Sequence, residues 1–105
     1  MQINFIKEIN ILSAKFKIEW DKKCNGGEFS WTDGIIKIGC ECYKTDPGYT
    51  LSVISHEVME VILSGMGGRF NNGRIDGNYL FNFSHQTFEN AIQVHTEALL
   101  KFIKK

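Results

Sequence analysis

The pattern of apolar and polar positions changes period along this chain, and each change marks an element. Ile3, Phe5, Ile6, Ile9, Leu12 and Phe16 recur at spacings of three and four, which predicts an opening amphipathic helix over about residues 2–15. Asn4, Lys7, Glu8 and Lys15 supply its wet face. Phe16, Ile18 and Trp20 then alternate with Lys17, Glu19 and Asp21, as in a half-buried strand. Asn25-Gly26-Gly27 reads as a turn, because these residues accept positive φ. Alternation resumes in Glu28–Thr32, Asp33-Gly34 is a hairpin signal, and Ile35–Gly39 reads as the return strand. Three consecutive short strands predict an antiparallel meander that ends on Ile35–Gly39.

Glu41–Gly48 is a polar connection, closed by Asp46 and Pro47. Leu51–Ser64 follows, with Leu51, Ile54, Val58, Val61 and Ile62 in one apolar stripe and Val53, Met59 and Leu63 off it. A helix apolar around most of its circumference belongs inside a domain, and Ser64-Gly65 ends it. Arg69–Asn78, rich in Gly and Asn, is the expected mobile loop, and Tyr79–Phe83 a short extended stretch. Ser84 is placed to cap a closing helix from His85 to about Lys104, with Phe88, Ile92, Leu99, Phe102 and Ile103 facing inward. The fold class expected is α+β, in one domain over residues 1–105.

The buried helix carries His56, Glu57 and Glu60 in its middle. Charged groups are rarely buried unless paired or bound to a metal. His56 and Glu60 are four residues apart, so they share a face one turn apart and can grip one divalent cation. Glu57 is turned about 100° from that face, beside the ion as a base rather than as a ligand. A catalytic metal needs a third protein ligand, for which His85, Glu89, His95 and Glu97 are the downstream candidates. His95 falls in the apolar stripe of the closing helix and reads as a core histidine, and Glu97 lies off it.

His56-Glu57-Val58-Met59-Glu60 resembles the H-E-x-x-H helix of the zincin metallopeptidases, with Glu60 at the position of the second histidine. His85 and Glu89, again four apart, extend the resemblance to small zincin-like proteins of phages and mobile elements. The resemblance implies a minimal zincin-like fold and one Zn2+ per chain, held by His56, Glu60 and His85. Glu89 would then orient His85 or ligate in its place. It implies a zinc-dependent peptidase or hydrolase acting on a peptide or protein, with Glu57 as the general base. The strand Ile35, Ile36, Lys37, Ile38 and Gly39 would be the edge along which a substrate backbone pairs. Tyr49 or Tyr79 would donate to the oxyanion. An anionic Glu60 lowers the net charge of the site and weakens the Lewis acid. An inactive interaction module of a phage or mobile element is therefore the second reading. A carboxylate-rich di-metal site is a third, which the strand-rich first half disfavours.

Composition changes this picture little. Twelve basic and twelve acidic residues balance, so no overall footprint for nucleic acid or an anionic membrane is expected. No apolar run reaches membrane-spanning length, and the first residues lack the layout of a secretion leader. Cys24, Cys40 and Cys42 are an odd set without a disulfide framework, which points to the cytoplasm. Their C-x-C spacing is a weak signal for a second metal.

Overall fold

A computed structural model of the chain describes residues 1–66, 69–71, 79–81 and 85–104. Its elements are β1 (Gln2–Ile3), β2 (Glu8–Ile11), β3 (Ala14–Asp21), β4 (Gly27–Ser30), β5 (Ile35–Gly39), α1 (Pro47–Gly65), β6 (Arg69–Asn71), β7 (Tyr79–Phe81), α2 (His85–Leu100) and β8 (Ile103–Lys104). The class is α+β. Of the loop expected over Arg69–Asn78, the first three residues form β6, which pairs with β7, and residues 72–78 lie outside the described residues. Ser84, the expected cap, also lies outside them.

The opening segment is not a helix. Residues 2–15 form β1, β2 and the start of β3. Glu8, Ile9, Asn10 and Ile11 alternate exposed and buried, and Ile9 pairs with Phe16 and Ile11 with Ala14. β-branched isoleucines favour a pleated surface, and here their period of two outweighs the looser spacing of three and four. The hairpin turns through Leu12 and Ser13, both at positive φ (52° and 66°). Such turns are normally marked by Asn or Gly, so the sequence carries no visible turn signal there.

The three central strands are not a meander. The principal sheet runs in the order β2-β3-β5-β4, with β3 and β5 parallel and β4 antiparallel on the outside of β5. The connection after β3 crosses the end of β5 at Gly39, whose amide donates to the Gly26 carbonyl at 2.6 Å. A Cβ at Gly39 would fall 2.5 Å from that oxygen and 2.7 Å from the Cys24 carbonyl oxygen. Only glycine permits the crossing, and the crossing sends β4 beyond β5. The hairpin at Asp33-Gly34 forms as expected, although β4 stops at Ser30 and the turn spans Trp31 to Gly34.

One face of the sheet is covered by the helices. Ile9, Ile11, Phe16, Ile18, Ile36 and Ile38 pack with Ile54, Val58, Val61 and Ile62 of α1 and with Phe102. Full burial of each such side chain stabilises the fold by about 1.5–3 kcal/mol. The inward face of α2 differs from the expected stripe: Ala91 and Ala98 are buried, while Phe88 and Ile92 are exposed. Small alanines let α2 lie close on the core, and the larger residues are rotated to the rim. The helix ends at Leu100, and β8 then pairs with β1 through Gln2↔Lys104 and Ile3↔Ile103. No helix among the described residues is long and apolar enough to cross a membrane.

Candidate metal centre

Helix α1 starts where the sequence provides for it. The Asp46 carboxylate accepts from the Tyr49 amide at 3.1 Å, and Pro47 occupies the first turn, where no amide partner is needed. Ile54, Val58, Val61 and Ile62 are fully buried, which fixes the rotation of the helix. His56 and Glu60 are thereby turned to the surface side and Glu57 toward the sheet. The His56 side chain is 67% exposed, Glu60 26% and Glu57 only 7%.

The three side chains converge. His56 Nε2 lies 3.7 Å from Glu60 Oε2 and 3.9 Å from Glu57 Oε2. One ligand atom from each residue can be chosen so that all lie within 4.8 Å of one another, and among the described residues no other three His, Cys, Asp or Glu do so. Glu57 therefore stands within the group and not apart from it, as its helical rotation alone suggested.

A glycine makes this possible. A Cβ on Gly27 in β4 would fall 2.8 Å from Glu57 Cγ and 3.2 Å from Cδ, so a bare backbone at Gly27 accommodates the buried arm of Glu57. The sequence marks Gly27 only as part of a turn and gives no sign of this contact. His56 separates two open grooves. One, of ≈ 490 Å³, runs past Asn25, Gly27, Tyr49 and Glu57. The other, of ≈ 510 Å³, is walled by Ser55, Met59, Leu63 and His95 and includes Glu60.

The remaining expected site residues fall elsewhere. His85 is 85% exposed and pairs with Glu89 of its own helix at 2.9 Å; it does not join the group. His95, expected in the core, is half-buried and shares a hydrogen bond of 2.9 Å with Ser55 Oγ. Ten residues of helix place it about 15 Å beyond His85, which is why α2 reaches the α1 groove at its middle and not at its start. Ile35, Ile36, Lys37, Ile38 and Gly39 form β5, which is paired on both sides by β3 and β4. That strand cannot be an edge; the outer strand beside Glu57 is β4. Tyr49 is exposed and lines the groove with Glu57, whereas the Tyr79 side chain lies outside the described residues.

Among the described residues the cysteines do not assemble a second centre. All three are free thiols, with Cys24 exposed and Cys40 buried. The Cys24 thiol donates to Asp21 Oδ2 at 3.4 Å, and this hydrogen bond pushes its pKa up. Asp21 is held below the usual carboxylate range, first by the Lys23 amide and then by the Cys24 thiol. Burial pushes the Cys40 thiol up.

Comparison with known protein families, with characterised proteins and with solved structures returns no match to this chain.

Proposed function

We propose that the protein is a zinc-dependent hydrolase of peptide bonds, in which His56 and Glu60 hold the ion together with a third ligand that joins them when it binds, and Glu57 is the general base. The observation that carries this reading is the convergence of an imidazole and two carboxylates within 4.8 Å on an otherwise apolar helix. The donor set fits zinc. Ligand atoms bound tetrahedrally at 2.0–2.2 Å lie about 3.4 Å apart, close to the 3.7 Å that separates His56 Nε2 from Glu60 Oε2. Bound there, zinc would supply the Lewis acidity that brings the pKa of a water from ~15.7 toward about 7.

The chain's own groups would do the rest. Glu57 reaches the groove from a buried stem, so its carboxylate is held in place and needs little reorganisation to take a proton from the attacking water. It would then pass that proton to the departing amine nitrogen. The groove past Gly27 and Tyr49 would hold the substrate, and β4 would lie along an extended peptide in place of β5. The resemblance of His56-Glu57-Val58-Met59-Glu60 to the zincin helix supports the assignment of roles.

A second reading is favoured by the inclusion of Glu57 in the group. If Glu57 ligates, three protein ligands are complete without a base, and the site would belong to an inactive zincin-like module that binds a protein partner. Zinc content and cleavage of a broad peptide library separate the two. In the hydrolase, Glu57→Gln keeps stoichiometric zinc and loses about 10²–10⁴ in rate, while His56→Ala loses the metal. Loss of zinc in Glu57→Gln, or no cleavage by the fully loaded parent, would establish the second reading instead.

A further inference from the structure

The balanced net charge conceals a local asymmetry around Tyr43. A hollow of ≈ 370 Å³ is bounded by Phe5, Tyr43, Lys44, Pro47 and Lys104. Its aromatic wall is fixed: the Phe5 ring meets Trp20 edge-on at 4.7 Å and Tyr43 at 5.0 Å. Trp20 is in turn held by the hydrogen bond its indole donates to the Ile6 carbonyl at 2.8 Å. Phe5 nevertheless remains 37% exposed.

Ammonium groups crowd this wall. The Nζ atoms of Lys22 and Lys44 each lie 5.8 Å from the centre of the Tyr43 ring, and Lys104 lines the same hollow. The lysine ion pairs among the described residues are those of Lys15 with Glu8 and of Lys37 with Glu28; among those residues Lys22, Lys44 and Lys104 have no carboxylate partner within 4.0 Å. The nearby Asp46 carboxylate is engaged at the start of α1, where it accepts from the Tyr49 amide.

Positive charge over ordered, partly exposed rings suits a ligand with both an anionic group and a flat ring. The volume is at the small end of the about 300–1,000 Å³ typical of small-molecule sites. We propose that the hollow binds a small aromatic phosphate of the nucleotide class, its phosphate against Lys44 and Lys104 and its ring against Phe5 and Tyr43. A free nucleotide is favoured over a nucleic-acid strand because the neutral chain offers no extended basic track on which a polymer would gain. The site is independent of the metal centre on α1.

The test is a titration of the 15N-labelled full chain followed by amide chemical shifts, with adenosine 5′-monophosphate, adenosine, inorganic phosphate and a short single-stranded oligonucleotide as probes. The monophosphate is expected to saturate with a dissociation constant on the order of 1 mM or below. Its shifts should centre on Phe5, Tyr43, Lys44 and Lys104, with adenosine and phosphate each at least about tenfold weaker. Lys44→Gln with Lys104→Gln should weaken it by at least about tenfold, a loss of two charge-assisted contacts. Phe5→Leu should abolish the preference for the monophosphate over phosphate; should that variant unfold, the exposed lysine pair carries the test alone. The proposal is overturned if the shifts do not saturate, if they centre on His56–Glu60, or if phosphate binds as well as the monophosphate. Much tighter, steeply salt-dependent binding of the oligonucleotide overturns it too, in favour of a nucleic-acid surface.

Discussion

Gly27 and Glu57 are in contact across the space between β4 and α1, with no room for a side chain on the glycine. A Cβ there would meet Glu57 Cγ at 2.8 Å and the Lys37 carbonyl oxygen at 3.1 Å. The second contact is backbone and the first is the stem of a buried carboxylate, so neither yields freely. Gly27→Ala should therefore cost about 1–3 kcal/mol, the usual penalty of overpacking, and should shift Glu57 relative to His56. The expected readings are a melting temperature lower by about 5–15 °C and a reduced zinc content. An alanine variant with the parent's stability and zinc would show that Glu57 does not need this wall.

The crossing at Gly39 makes a sharper comparison. A methyl group there would meet three backbone atoms of the Cys24–Gly26 segment at 2.5–2.7 Å, whereas a Cβ on Gly26 would meet nothing within 4 Å. Backbone atoms can move only if the parallel pairing of β3 and β5 moves with them. Gly39→Ala is expected to destabilise by more than about 3 kcal/mol, against about ±0.5 kcal/mol for Gly26→Ala. Urea titrations of the two variants check the pair, and equal midpoints would mean that the crossing is not a constraint.

These contacts also explain which parts of the molecule could be read from its residues. α1 and β5 were legible because each declares itself locally: a helical stripe bounded by Pro47 and Gly65, and an alternating run ending in glycine. The proximity of His56 and Glu60 follows from helix geometry alone. What was not legible depends on contacts between distant segments. The order β2-β3-β5-β4 is set by Gly26 meeting Gly39, and the opening hairpin turns on Leu12 and Ser13, whose side chains do not advertise a turn. The rotation of α2 depends on alanines, which count weakly in any apolar stripe. His95 faces Ser55 for that same reason, and His85, chosen on the assumption that α2 meets α1 at its beginning, stands apart from the group.

The turn itself offers a gain in stability. Ser13 has φ of 66°, a conformation that costs an L-residue roughly 1–2 kcal/mol and costs glycine almost nothing. Glycine also loses more freedom on folding, which offsets part of the gain. Ser13→Gly should raise stability by about 0.5–1 kcal/mol, seen as a higher urea midpoint. Leu12 is a poorer target because its Cδ1 would lie 2.9 Å from a Cβ on Gly65, so it packs against the end of α1.

The Asp21–Cys24 hydrogen bond predicts thiol reactivity. Cys24 is exposed, yet its pKa is raised, with the Asp21 hydrogen bond as the largest cause. A raised pKa leaves less thiolate at a given pH, and the thiolate is the nucleophile. Asp21→Asn removes the anionic acceptor, lowers the pKa and should speed alkylation of Cys24 by iodoacetamide at pH 7–8 several-fold. The rate should be followed at Cys24 by peptide mass mapping, with buried Cys40 as the slow internal standard. An unchanged or slower rate would remove Asp21 as the cause.

The clearest separation of the two histidine positions is in metal binding. His56 is in the group with Glu57 and Glu60, while the exposed His85 is paired with Glu89 at the start of a different helix. A surface pair of this kind contributes at most about 0–1 kcal/mol to stability, so His85→Ala leaves the fold intact and is a clean probe. It should change zinc affinity by less than about twofold, whereas loss of a true ligand typically costs far more because the ion forfeits a coordinating bond. Parallel titrations of His56→Ala and His85→Ala against a zinc indicator give the comparison directly. A drop of about tenfold or more in His85→Ala, equivalent to 1.4 kcal/mol, would mean that the start of α2 swings onto α1 when the ion binds. The ligand set would then be His56, Glu60 and His85, and Glu57 would be left free to act as the base.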